Sequence, residues 1–294
     1  MAAEQPESAP IRRPGAANSP EGYPGSPEGL RGAERPTAEE LAEWRAKADA
    51  ATEGRSKDAE LIGDARVHGN ALISGNARVF DSARVSGDAE VSGNARVFDS
   101  ARVYGDARVS GDARVYGNAR VFDSARVSGD AEVHGNAWVS SSARVLGNAE
   151  VSGNAWVFDS ARVYGDARVY GNARVYGDAL ISGNALISGN ADLARSRHVL
   201  TLGPVGSGDR TVTIHRHYDG PSAAKWGHRI NAGCWSGTLG ELADRIAGDG
   251  HGWPAGLVDR CRADYRAVIV VARIRVAEWE AEPLTAADHE RWAS

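Results

Sequence analysis

His215 and His217 flank an arginine in the stretch HRH. If that stretch is a β-strand, side chains two residues apart leave the same face, and the two imidazoles could serve as paired ligands for a zinc-type ion. The third ligand would have to come from His228, His251 or Cys234. No spacing fixes one, so the pair reads as ordinary sheet-face residues, and neither a resident metal nor a cofactor is expected. Cys234 could be an activated thiolate or a small hydrophobe buried at a strand end. It and Cys261 are the two cysteines of the chain, too few for a disulfide framework. His68 and His134 have the right chemistry for general bases. They occupy slots where neighbouring repeats carry Ser, Tyr or Phe, so a surface role suffices for them.

The largest set of candidates is arranged in columns. Tyr104, Phe122, Phe158 and Tyr176 share one position of an 18-residue period, and Arg102, Arg120, Trp138, Trp156 and Arg174 share another. Stacked aromatics and guanidinium groups suit a flat partner through cation–π contact and stacking, whether another protomer, a sugar or a nucleic acid. We assign Tyr104, Arg120, Phe122, Trp138, Trp156, Phe158, Arg174 and Tyr176 to an oligomer or partner face, with no catalytic residue among them. Two other columns are poorer. One carries Ser74, Ser92, Ser110 and Ser128 beside Arg108, Arg126, Arg144 and Arg162; the other carries Phe80, Phe98, Tyr116 and Tyr170 beside Arg78, Arg96 and Arg114.

What must position these columns is a repeat. From Leu61 to Leu193 an aliphatic residue stands at every sixth position, Ala stands two before nearly all of them, and Gly with Asn or Asp follows. Six is divisible by two, so Ala-x-Val-x forms a short strand with Ala and Val on one face. Gly, Asn and Asp tolerate the left-handed backbone of a tight corner. A helix fails, because glycine would interrupt its interior and the Val stripe would wander around it. Three strands and three corners close a coil of 18 residues, and about seven coils stack in parallel. The core is a column of Val and Ala, each buried Val contributing about 1.5 kcal/mol or more.

These hexads, from Leu61-Ile-Gly-Asp-Ala-Arg to Ile187-Ser-Gly-Asn-Ala-Asp, resemble the hexapeptide repeat of the left-handed parallel β-helix superfamily. The resemblance implies a mainly β fold. Many members of that superfamily are acyltransferases that work as trimers, with a histidine at the subunit boundary and a loop thrown out from a corner. The hexads here run on without such a loop, which argues against that activity.

Residues 1 to 36 hold seven of the chain's 11 prolines and read as a disordered arm. Residues 37 to 54 read as a capping helix, with Thr37 and Glu40 as a capping box and Leu41, Trp44 and Ala48 on one face. Such a helix would cover a strand edge that otherwise invites pairing. Residues 196 to 281 read as a small module of two or three strands and two helices. Its last strand ends at Cys234-Trp235, one helix is capped by Thr238 and Glu241, and Leu257, Cys261, Tyr265, Val268, Val271 and Ile274 form the inner stripe of the other. Residues 282 to 294 are left as a tail. The stretches LTLGPVGS and NAGCWSGTLGEL are similar to a terminal module of uncharacterised bacteriophage and mobile-element proteins, which implies a setting and no reaction.

No apolar run is long enough for a signal segment or a membrane span, so a cytoplasmic location is expected, or a virion one if the chain is phage-encoded. A net charge of −5 gives no global attraction to nucleic acid, and Asp88, Asp106, Asp112 and Asp130 interleave the arginines. The sequence therefore points to a non-enzymatic structural or binding protein that self-associates, as a homotrimer, with another protein as a partner of the C-terminal module. A hexapeptide-type acyltransferase and a polyanion binder are the alternatives.

Overall fold

In a computed structural model, residues 59–248 and 253–293 are described. The arm and the expected capping helix lie outside the described residues. From β1 (Glu60–Leu61) to β23 (Asp192–Arg195), 23 short strands follow the hexads. They form three parallel sheets of eight, eight and seven strands, each strand pairing with those three before and three after it. This is a parallel β-helix of nearly eight turns, slightly longer than the sequence suggests. Register is set eighteen residues apart, with Val121 opposite Val103 and Val139, and Arg120 N donating to Ala137 O at 2.9 Å. The Ala and Val columns are fully buried from Ala77 to Val175, as the alternation requires.

Corners explain the residues between. Gly129 has φ 77°, and a Cβ there would sit 2.9 Å from the backbone of Gly147 in the next turn. Both the left-handed backbone and the close approach require glycine. Where the repeat reads Phe-Asp-Ser instead, Asp99, Asp123 and Asp159 adopt φ of 55–57°. Each carboxylate accepts a hydrogen bond from a backbone N–H one turn on, at Gly117, Ser141 and Gly177 (3.0, 3.2 and 3.3 Å). That bond offsets the cost of a non-glycine residue in this region. Another corner carries an amide ladder from Asn118 through Asn136, Asn154 and Asn172 to Asn190.

The C-terminal module is an antiparallel sheet in the order β24 (Val199–Val205), β25 (Arg210–His217), β26 (Gly227–Ala232) and β27 (Trp235–Gly237). Helices α1 (Leu239–Ala247), α2 (Val258–Glu280) and α3 (Ala286–Ala293) follow. Thr238 and Glu241 form the expected capping box of α1. Two expectations need correction. The inner face of α2 is Cys261, Tyr265, Val268, Ile269, Ala272, Val276 and Trp279, while Val271 and Ile274 are exposed. The helix carries apolar residues on both sides, so periodicity alone did not choose the face. Residues 286–293, read as tail, are helical, with Thr285 and Asp288 bonding each other's backbone N–H at its start.

Candidate functional site

The partner face assigned from sequence is one side of the prism, and its rings are in register. Trp138 and Trp156 stack with centroids 4.8 Å apart and planes 2° from parallel. Tyr104 stacks on Phe122 and Phe158 on Tyr176, both at 5.0 Å. Phe122 meets Trp138 edge to face, because Ser140 interrupts its own column. The Arg120 guanidinium lies 4.9 Å from the Trp138 ring and that of Arg174 lies 5.2 Å from Trp156, within cation–π range. Since the inner rings turn their faces to one another, the ladder offers less free ring face than a base-stacking platform needs.

Arg174 and Tyr176 do not belong to an open surface. Arg174 is buried, with the α3 residue Trp292 centred 4.4 Å from its guanidinium, and burial lowers its pKa from the ordinary arginine value. Tyr176 donates to Asp192 at 2.9 Å and lies under Arg291; burial and then the Asp192 charge raise its pKa above the usual phenol value. The open stretch of the face is therefore Tyr104, Arg120, Phe122, Trp138, Trp156 and Phe158, all except Arg174 and Tyr176 of the original set.

His134 is not set up as a free base. Its ring stacks on Tyr116 at 4.7 Å, continuing the column Phe80, Phe98, Tyr116, and its Nε2 lies 3.1 Å from Glu150. His68 is exposed. On this second side three arginines pair with a glutamate one turn away, Arg78 with Glu60, Arg114 with Glu132 and Arg168 with Glu150. On the third side Glu90 holds Arg108 at 3.2 Å, whereas Arg126, Arg144 and Arg162 have no acidic partner among the described residues.

His215 and His217 do share a face, and that face meets the end of the prism. A further turn would accept hydrogen bonds from the strand β22 (Leu186–Ile187) and its flank, as Ile187 O accepts from Tyr170 N. In its place Thr213 Oγ1 accepts from Leu186 N at 2.9 Å and His215 Nε2 accepts from Ser188 N at 3.5 Å. Asn231 donates to Leu186 O at 2.7 Å, and Ala191 bridges His217. His215 Nδ1 donates to Arg216 O at 3.1 Å, so one neutral tautomer satisfies both nitrogens. Burial pushes His215 down to about 3 and His217 to about 4. The neutral buried His215 imidazole, with Thr213 and Asn231, thus caps orphaned strand groups, which would otherwise be costly. His228 Nε2 accepts from Leu239 N at the start of α1, Cys234 is exposed on the β26–β27 turn, and His251 lies outside the described residues. No three such side chains among the described residues are grouped to hold a metal.

Sequence reading missed the groups that lock this junction. Arg216 donates twice to Asp192, to its side chain at 2.8 Å and its carbonyl at 2.9 Å, and also to Glu282 at 2.8 Å. It lies 3.8 Å from the Trp226 ring centre. Trp292 Nε1 donates to Asp192 at 3.1 Å. The fully buried carboxylate is paired and hydrogen-bonded, the condition for tolerating it. One signal was present: Asp192 stands in a column otherwise filled by Arg and Trp.

Among known proteins, the family model described as YdcK Beta solenoid repeat matches residues 71–87, 89–105, 101–115, 113–129, 161–177 and 167–182. No curated protein matches. Among solved structures, the chain is similar to the acetyltransferase domain of PglB from Neisseria gonorrhoeae FA1090, at 17% identity and a TM-score of 0.36. The match covers 45% of this chain and 63% of that one, so it spans less than two thirds of its length. No helix among the described residues is long and apolar enough to cross a membrane. With three parallel sheets in an eighteen-residue register, the chain has the fold of a parallel β-helix, and six of its segments are similar to solenoid repeats.

Proposed function

We propose that the protein is a non-enzymatic structural or binding protein, a rigid β-helical rod that presents fixed columns of side chains and carries a globular module at its C-terminal end. The observation that supports this best is continuity: among the described residues each turn passes into the next without an inserted loop. A loop is what would wall off a concave volume on such flat sides, and enclosed volume is what holds a substrate away from water. The rod associates with copies of itself, as a homotrimer, through the open aromatic stretch from Tyr104 to Phe158. Aromatic and arginine side chains are enriched in interface cores, and rigid strands lose little entropy on docking. A phage setting rests on the resemblance of the C-terminal module.

Acyl transfer is the competing activity, and the unpaired column Arg126, Arg144 and Arg162 favours polyanion binding as a second one. Incubation with acyl-coenzyme A and amine or hydroxyl acceptors will give no turnover; turnover abolished by His134→Ala would establish the transferase instead. Light scattering will give the mass of a trimer, and joint replacement of Trp138, Trp156 and Phe158 by Ser will shift it to monomer with the repeat still folded. A monomeric unmutated protein removes self-association from the reading.

A further inference from the structure

The two stretches that set the C-terminal module apart, LTLGPVGS and NAGCWSGTLGEL, converge on one cavity of about 180 Å³. The β24–β25 turn contributes Val205 and Ser207, the β26–β27 turn contributes Cys234 and Trp235, α1 contributes Arg245 and α2 contributes Tyr265. Nothing described above uses it, since the junction with the prism lies on the other face of the sheet, at Thr213, His215 and Asn231.

Its lining divides by chemistry. One wall is aromatic, with Trp253 stacked on Tyr265 at 5.6 Å and 5° from parallel, and with Trp235 beside them. The other feature is uncompensated positive charge. Arg210 and Arg245 line the cavity, and neither has an acidic partner among the described residues. The nearby carboxylates are engaged elsewhere: Asp209 holds Arg260 at 3.2 Å, and Asp264 accepts from Gly206 N at 3.0 Å. Tyr265 is 8% exposed, and its hydroxyl has no hydrogen-bond partner among the described residues. Burial raises the pKa of that phenol while the Arg210 and Arg245 charges pull it back, and all three side chains line the same cavity. Gly206 has φ 72°, and a Cβ there would lie 3.0 Å from the Tyr265 oxygen. The glycine lets the turn press against the hydroxyl.

We propose that this cavity binds a small organic anion with a flat apolar body, an aryl carboxylate or an aryl phosphate. The body lies against Trp235 and the Trp253–Tyr265 pair. The anionic head takes charge-assisted hydrogen bonds from Arg210 and Arg245 and one from the Tyr265 hydroxyl. The volume admits a single ring and excludes a macromolecule.

Cys234 lines the cavity and is exposed, while Cys261, the other cysteine of the chain, is buried. Alkylation of the full-length protein by iodoacetamide therefore reports on this site. Benzoate and phenyl phosphate will slow labelling of Cys234 saturably and change tryptophan fluorescence over the same concentration range. Benzyl alcohol, the neutral analogue, will do neither at equal concentration. Protection by only one of the two anions supports the proposal and names the head group. Arg210→Gln and Arg245→Gln will each weaken binding by about tenfold or more; Arg210 is exposed, so its replacement tests binding without endangering the fold. Labelling unchanged by either anion, equal protection by benzyl alcohol, or undiminished binding by both Gln variants overturns the proposal.

Discussion

Acidification from pH 7 to pH 5 will loosen the C-terminal module from the end of the prism and leave the turns themselves paired. His198, His215 and His217 are 2%, 0% and 5% exposed, and burial holds their imidazoles at about 3, 3 and 4, against about 6.5 for a free side chain. A ring with a lower pKa folded than unfolded binds more protons in the unfolded chain at every pH between the two values. Its contribution to stability is therefore complete above 6.5 and is lost as pH falls through that value toward 4. At pH 5 the loss is about 2 kcal/mol per ring, and roughly 6 kcal/mol for the three. Glu282, 3.5 Å from His198, and Asp219, 3.9 Å from His217, would hold a protonated ring and reduce the loss. Arg216, Arg197 and Arg229 act the other way. The near-ultraviolet circular dichroism of Trp226, Trp235, Trp253, Trp279 and Trp292 follows the module over the steady signal of Trp138 and Trp156 in the prism, and the far-ultraviolet strand signal reads the prism. The near-ultraviolet transition will fall by roughly 20 °C between pH 7 and pH 5. His215→Gln keeps an acceptor without a titrating group, and will remove about one third of that dependence. Near-ultraviolet melts that coincide at the two pH values would refute the reasoning.

Val121 is fully buried between two valines of the same column, so Val121→Asp sets a charge where nothing can pair it, costs several kcal/mol, and will abolish the cooperative far-ultraviolet transition. Its neighbour Arg120→Ser loses a ring contact worth about 0.5–1 kcal/mol and will melt within a few degrees of the unmutated protein. Gly129→Val forces a side chain into the backbone of Gly147 at a left-handed φ and will lower stability by about 2 kcal/mol or more in urea titration. Asp123→Ala removes the acceptor of Ser141 N and will cost about 1–2 kcal/mol, while Asp123→Asn will cost less; equal melting of Ala and Asn variants would show that the bond contributes nothing.

The prism was legible because its information is local and repeated: each hexad states the same alternation, and Val121 needs no distant partner to be assigned inward. The module was legible only where its signals were equally local, as at Thr238 and Glu241. The strand β27 has three residues after a tight turn, too few for alternation to register. For His215 and His217 the sequence showed a common face, but what that face meets depends on how the sheet docks, which no spacing encodes. The same holds for Arg174 and Tyr176, whose column neighbours are open and which are covered only because Trp292 and Arg291 arrive from more than a hundred residues away. The start of α3, Thr285-Ala-Ala-Asp288, carries a capping signature as local as that of α1.

The side chains that close the last turn, Thr213, His215 and Asn231, bond to Leu186 and Ser188 of that turn. Each turn, in the same way, is held by the one below and the one above. Eighteen residues added to or removed from the middle would leave every column continuous and the closing contacts untouched. Length is thus an adjustable dimension of this protein, separable from its architecture, and duplication or loss of a single turn resets the distance between its two ends like notches on a ruler.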